Sequence, residues 1–100
     1  MTREEAINEI KKYIAENGGR YPDWYVGVTS DPNDRLFNAH RVVRNGAAWI
    51  YHLCSSSEVA RNVEDYFLGE CGTMGGPGGG DDDATYVYAY KIAPNTIESA

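Results

Sequence analysis

Cysteine is scarce in this chain: Cys54 and Cys71 are the only two, and neither belongs to a Cys-x-x-Cys or His-x-x-x-His arrangement. A four-ligand zinc site would need both thiols together with His40 and His52, and nothing in their spacing pairs them. The two thiols read as small buried hydrophobes rather than as a disulfide framework. Long apolar runs are missing too, with none near the roughly 20 residues of a membrane-crossing helix. The opening "MTREEAINEIKKY" carries charges where a secretory leader has its apolar stretch, so a cytoplasmic protein is expected. Positive charge is short as well: nine Lys and Arg stand against fifteen Asp and Glu, for a formal net charge of −6. Phosphate contacts drive non-specific nucleic-acid binding, so this sum excludes a generic nucleic-acid binder. The charges are unevenly spread, however. Arg35, His40, Arg41 and Arg44 fall within ten residues, compatible with a small basic patch or with a solvated helix face.

What the chain does contain is ordinary for a folded domain. Apolar residues make up 42% and charged residues 24% of 100 positions, which suits one hydrophobic core and argues against global disorder. Thr2 and Glu5 form a capping-box pattern, and Ile7, Ile10, Tyr13 and Ile14 recur at helical spacing before Gly18-Gly19. A helix over 2–17 follows, structural in character.

"DWYVGVTS" alternates with period two: Trp24, Val26 and Val28 on one face, Tyr25, Gly27 and Thr29 on the other. Gly27 leaves room above the sheet on the second face. Asp31 and Pro32 stop the strand and open a helix, with Arg35, Leu36, Ala39 and Val43 in register and an end near Asn45-Gly46. "AAWIYHLC" is a second strand, with Trp49, Tyr51 and Leu53 opposite Ile50, His52 and Cys54. Ser55 and Glu58 repeat the capping-box pattern ahead of "SSEVARNVEDYFLGE", whose apolar stripe is Val59, Val63, Tyr66 and Phe67. A glycine-rich stretch over 72–80 then runs into Asp81, Asp82 and Asp83. "TYVYAYKI" is a third strand with Tyr86, Tyr88 and Tyr90 on one face, and the chain from Pro94 onward is expected to fray. The order α-β-α-β-α-β without repeat or linker predicts a small α+β fold: one domain over 1–100 with its core over 20–93, and a three-stranded, mainly antiparallel sheet flanked by helices.

Several residues could carry chemistry. The turn after the first strand brings Arg35 back toward the face showing Tyr25 and Gly27. There a guanidinium can ease formation of a phenolate and hold a phosphate in two-pronged geometry, or simply stack on the tyrosine ring. Glu64 borders the apolar stripe of its helix four residues after the small Ala60, a half-buried setting that suits a metal ligand as well as a surface acid. Glu58 and Asp65 have simpler explanations, as a capping partner and as a mate for Arg61. "GGPGGG" lacks the Lys-Ser/Thr of a P-loop and does not open a helix, so it reads as a connection. The three aspartates could recruit a second metal or be merely solvated. Trp24 and Trp49 are expected in core packing. The tyrosine row is either functional or only a good strand former.

"YVGVTSDPNDRLFNAH" resembles the second signature of the GIY-YIG nuclease superfamily, with Tyr25, Gly27, Arg35, Leu36 and His40 matching in turn. "ARNVEDYFL" is similar to the family's later helix, which maps its metal-binding glutamate onto Glu64 and its preceding alanine onto Ala60. The chain departs from the family in two ways. It has no Gly-Ile-Tyr strand just before the Tyr-Val-Gly strand, and it lacks the asparagine that follows the glutamate helix. "VYAYKI" could supply the strand from the C-terminal side, with Tyr88 or Tyr90, and less centrally Tyr86, in place of the missing tyrosine. The resemblance implies a GIY-YIG-like fold and hydrolysis of phosphodiester bonds with Mg2+ or Mn2+ at Glu64. It implies Tyr25 and Tyr88 as the groups that orient and deprotonate water, and Arg35 as the stabiliser of charge on phosphorus. His40 would be an acid/base or phosphate contact, or else a helix-terminal histidine facing free carbonyls. Gly27, Arg41 and Arg44 would lie along the nucleic acid, DNA rather than RNA. A catalytically degenerate binding module of the same fold is the alternative.

Overall fold

The computed structural model describes residues 1–76 and 83–99. Helix α1 (Arg3–Asn17) is capped at its start by Thr2 and Glu5, whose reciprocal bonds are 2.9 and 3.2 Å long. It ends at Gly18, whose φ of 81° lets the chain turn away while its N–H still reaches the Ile14 carbonyl. Its apolar stripe of Ala6, Ile7, Ile10 and Ile14 is buried. Strands β1 (Trp24–Thr29), β2 (Trp49–Leu53) and β3 (Tyr86–Lys91) form one sheet in the order β1-β3-β2, antiparallel throughout. The last strand in sequence is thus the central one. Met74 adds a short parallel bridge to the outer edge of β1, through Val26 N–H to Met74 O at 2.9 Å and Met74 N–H to Trp24 O at 2.8 Å.

The period-two pattern sorts the side chains as the sequence predicts. Trp24, Val26, Val28, Val87 and Ala89 face α1 and helix α2 (Ser57–Tyr66) and form the main core. Trp24 is fully buried, its indole N–H bonded to the Gly18 carbonyl. Cys54 is buried there as a free thiol, and Cys71 is also unbridged.

Four expectations need correction. The second sheet face is not open to solvent: every residue of β1 is buried, and Tyr25, Leu36, Val42, Tyr88 and Tyr90 make a second apolar cluster. Covering a leucine such as Leu36 is worth about 2 kcal/mol, and the tyrosine rings present enough apolar surface to hold it there. The helix after Pro32 is also shorter than its pattern suggests. Asp31 does cap it, through Asp34 N–H at 3.2 Å, but it is a single wide turn over Asp34–Ala39 closed by an i→i+5 bond from His40 N–H to Arg35 O. Arg41, at φ 59°, reverses the chain, and Val43 is left 50% exposed.

The third correction concerns α2. Its cap is Ser56, which accepts from Val59 N–H, whereas Ser55 Oγ donates to the Met1 carbonyl, so the Ser55/Glu58 capping box does not form. The helix then widens over Phe67–Cys71 and stops at Gly72. Finally, the segment after Pro94 does not fray but folds back on His40. Trp49 departs from the core expectation in part, being half-buried on the second face with its ring edge against Phe37. The glycine run from residue 77 onward, with Asp81 and Asp82, lies outside the described residues.

Candidate active site

Strand pairing builds the site. Tyr25, Gly27 and Thr29 of β1 face Tyr90, Tyr88 and Tyr86 of β3, so the Tyr-Val-Gly segment and the tyrosine row share one side of the sheet. The Tyr88 phenol lies directly over Gly27: a Cβ there would stand 2.5 Å from the Tyr88 hydroxyl and 2.6 Å from the ring carbon bearing it. The room that glycine leaves is therefore filled by Tyr88, and Gly27 acts by admitting that ring. Tyr25 stacks on both neighbours, with centroids 5.2 Å from Tyr90 and 6.2 Å from Tyr88.

Arg35 and Glu64 reach the same two phenols from opposite elements. The wide turn over Asp34–Ala39 carries Arg35, whose guanidinium engages the Tyr88 hydroxyl and also acts on Tyr25. Helix α2 carries Glu64, close enough for its charge to act on both phenols. Tyr25, Tyr88 and Arg35 thus meet, with the Glu64 charge acting on both phenols. Burial pushes both phenols above their usual range, with Arg35 opposing it and Glu64 reinforcing it. The Gly76 backbone N–H also bonds the Tyr25 hydroxyl, a contact with no signal in the sequence.

Glu64 is only 2% exposed, and its carboxylate oxygens are not among the buried polar atoms left without a hydrogen bond. Its carboxyl is pushed up to about 7, chiefly by burial and further by Asp65, with Arg61 opposing. A carboxylate so nearly enclosed is costly to ionise, and such groups occur where a cation completes them. No gathering of three or more His, Cys, Asp or Glu side chains occurs among the described residues, so an ion here would rest on this one carboxylate, water and substrate oxygens. That donor set suits Mg2+, which is commonly held by one or two carboxylates plus phosphate and water.

The chain matches no family of known proteins, no curated protein and no solved structure.

His40 lies at the heart of the group and is fully buried. It does not face helix-end carbonyls. Its Nδ1 is 2.7 Å from the Ile97 carbonyl, and its Nε2 is 2.8 Å from the Tyr88 hydroxyl. Burial lowers its pKa, so the ring is neutral at pH 7. Tyr90, an alternative to Tyr88 in the sequence, contacts His40 and Glu98 rather than Arg35 and Glu64. Tyr86 sits further along, edge-on to Tyr51.

Arg41 and Arg44 lie elsewhere. Arg41 occupies the reversal after His40, where its carbonyl accepts from Asn95, and Arg44 stacks over the Phe37 ring at 3.9 Å while its carbonyl accepts from the Trp49 indole. Neither belongs to a helix face. A cavity of about 340 Å3 lined by Lys11, Ile14, Ala15, Gly19, Arg20 and Tyr21 shares no residue with the tyrosine site. His52 also stands apart, on the α1-facing side of the sheet, its Nε2 buried without a partner. No helix among the described residues is long and apolar enough to cross a membrane.

Proposed function

We propose that the chain is a GIY-YIG-like endonuclease that hydrolyses phosphodiester bonds in DNA with a divalent cation, Mg2+ or Mn2+. The observation that carries this reading is the 2%-exposed Glu64 carboxylate, whose charge acts on the same two phenols as the Arg35 guanidinium. Arg35 engages the Tyr88 hydroxyl while the Glu64 charge acts on both phenols, a combination expected of a site that polarises water and receives a phosphate.

Each residue has a role that follows from its surroundings. Arg35 binds the phosphate and stabilises the negative charge that grows on its oxygens as the nucleophile adds, the kind of preorganised electrostatic contribution that usually dominates. Tyr25 and Tyr88, fixed by stacking and by Gly27, orient the attacking water and take its proton. Glu64 holds the cation. When bound, that ion supplies Lewis-acid stabilisation of the leaving oxygen. The acidic body limits non-specific affinity, so contacts at Arg35, and further off at Arg41 and Arg44, position the strand.

The test is an incubation of supercoiled plasmid and branched DNA with Mg2+ or Mn2+. The wild-type chain nicks; Arg35→Ala and Glu64→Gln do not, although both remain folded. Equal products from wild type and Glu64→Gln would remove the assigned cation role. Cation-independent DNA binding without nicking would select the binding-module alternative.

A further inference from the structure

The segment after β3 is built into the site. Its turn is closed by Ala93 N–H to Thr96 Oγ at 3.1 Å and Thr96 N–H to Ala93 O at 3.1 Å. Ile97 N–H then donates to the His40 carbonyl at 2.8 Å, while the Ile97 carbonyl faces His40 Nδ1 at 2.7 Å. A carbonyl can only accept, so the imidazole proton sits on Nδ1. Nε2 is left with its lone pair, and the Tyr88 hydroxyl, 2.8 Å away, must donate to it. Behind Nδ1, the Tyr90 oxygen is 3.2 Å distant, and its proton goes to Glu98 Oε2 at 3.0 Å. With the Nδ1–H shared between the Ile97 carbonyl and the Tyr90 oxygen, the line Glu98–Tyr90–His40–Tyr88 is directional from end to end, and Tyr90, His40 and Tyr88 are buried.

A line of this kind solves a difficulty in the proposed chemistry. A phenol whose burial holds it well above its ordinary range does not ionise at neutral pH, so Tyr88 cannot accept a proton from water unless its own proton has somewhere to go. A neutral imidazole with a free Nε2 is that place.

We propose that Glu98 and Tyr90 are positioning residues which, with the Ile97 carbonyl, hold His40 with its bare Nε2 against the Tyr88 hydroxyl, so that His40 receives the Tyr88 proton as Tyr88 receives one from the attacking water. The proton step rests on the nuclease reading; the relay geometry does not. In that step the water oxygen forms the new bond to phosphorus and its proton passes to Tyr88. The Tyr88 proton passes to Nε2, and the bond to the leaving ester oxygen breaks with its electron pair on that oxygen. The imidazolium so formed keeps both protons, with the Glu98 carboxylate, through Tyr90, offsetting its charge. The groups facing His40 are Tyr25 from β1, Arg35 from the wide turn, Tyr88 and Tyr90 from β3, and Glu98 from the tail. Of these, Arg35 opposes its protonation and Glu98 favours it.

The chain has two histidines, so long-range 1H–15N NMR of the full chain, assigned with a His52→Gln variant, reads the His40 ring directly. The expected spectrum has a protonated Nδ1 and a bare Nε2, with the Nε2 resonance moving in Tyr88→Phe. Glu98→Gln keeps the tautomer and makes His40 titrate at a measurably lower pH. A protonated Nε2, or a titration unaffected by Glu98→Gln, overturns the relay. In the nicking assay, Tyr90→Phe and Glu98→Gln lower kcat by about tenfold or more with KM unchanged, while full kcat in both overturns the proton step. Absence of nicking by the wild-type chain removes the nuclease reading and the proton step with it, while the spectrum still decides whether the relay exists.

Discussion

Glu64→Gln converts the burial of one carboxylate into a measurable pH dependence of stability. In the folded chain this carboxyl is 2% exposed and is pushed up to about 7 from the ordinary 4.5, first by burial and then by Asp65. Below the unfolded value both states hold the proton, and the group costs nothing. Between the two values the folded chain keeps a proton that the unfolded chain has released, so stability falls as pH rises. Above about 7 both states are ionised and the full cost, about 3 kcal/mol, is in place. Glutamine matches the protonated side chain in shape and hydrogen-bonding capacity but never ionises. The difference in unfolding free energy between Glu64→Gln and wild type, from urea titrations in EDTA, is therefore near zero at low pH. It rises through the window between the two values and levels off with the variant more stable by about 3 kcal/mol. His40 and His52, whose pKa values burial lowers, act in the opposite sense as pH falls through and below their unfolded value. Both chains carry them, so they cancel in the difference. Mg2+ or Mn2+ at 100 times its dissociation constant restores about 2.7 kcal/mol to wild type alone. A difference that stays flat across pH would refute the claim that burial raises the Glu64 carboxyl, and the cation-site argument would fail with it.

Other perturbations test the supporting geometry. Gly27→Ala puts a methyl carbon 2.5 Å from the Tyr88 hydroxyl. The expected cost is about 1–3 kcal/mol by chemical denaturation, with a shift of the Tyr88 ring resonances; unchanged stability would place that phenol elsewhere. Arg41→Val forces a β-branched residue into φ 59° and should lose about 1–2 kcal/mol, whereas Arg41→Gly should be neutral or slightly stabilising, and equal melting temperatures for the two would exclude the left-handed turn. Ser56→Ala, which removes the α2 cap, should cost about 1 kcal/mol while Glu58→Ala costs far less; the reverse order would restore the Ser55/Glu58 capping box.

Strand alternation made much of the candidate site legible. Tyr25 and Gly27 fall on one face because they are two apart, and the tyrosines at 86, 88 and 90 do likewise. Antiparallel pairing of the two segments then leaves Tyr88 no place but above the glycine. Glu64 was legible from its position beside the apolar stripe, though a stripe gives no measure of how deeply its border is buried. Three serines in a row left the α2 cap ambiguous by one residue, since any of them can accept from a backbone N–H; packing of Val63 and Phe67 selects Ser56. The wide turns had no signature, because Leu36 and Val43 satisfy an ordinary helical repeat as well as they satisfy a turn that stops at His40. The tail was illegible for a deeper reason. "APNTIES" has neither apolar periodicity nor a cap, so a reading based on hydrophobic burial leaves it loose. What holds it is the need of a buried imidazole for two partners. Once His40 is enclosed by Tyr25, Tyr88 and Tyr90, its Nδ1–H must find an acceptor away from water, and an unmet one would cost about 1–3 kcal/mol. The Ile97 carbonyl meets that need, and the bond from Ile97 N–H to the His40 carbonyl closes the pair. The buried histidine therefore orders the tail, and the tail in turn determines which histidine nitrogen carries the proton.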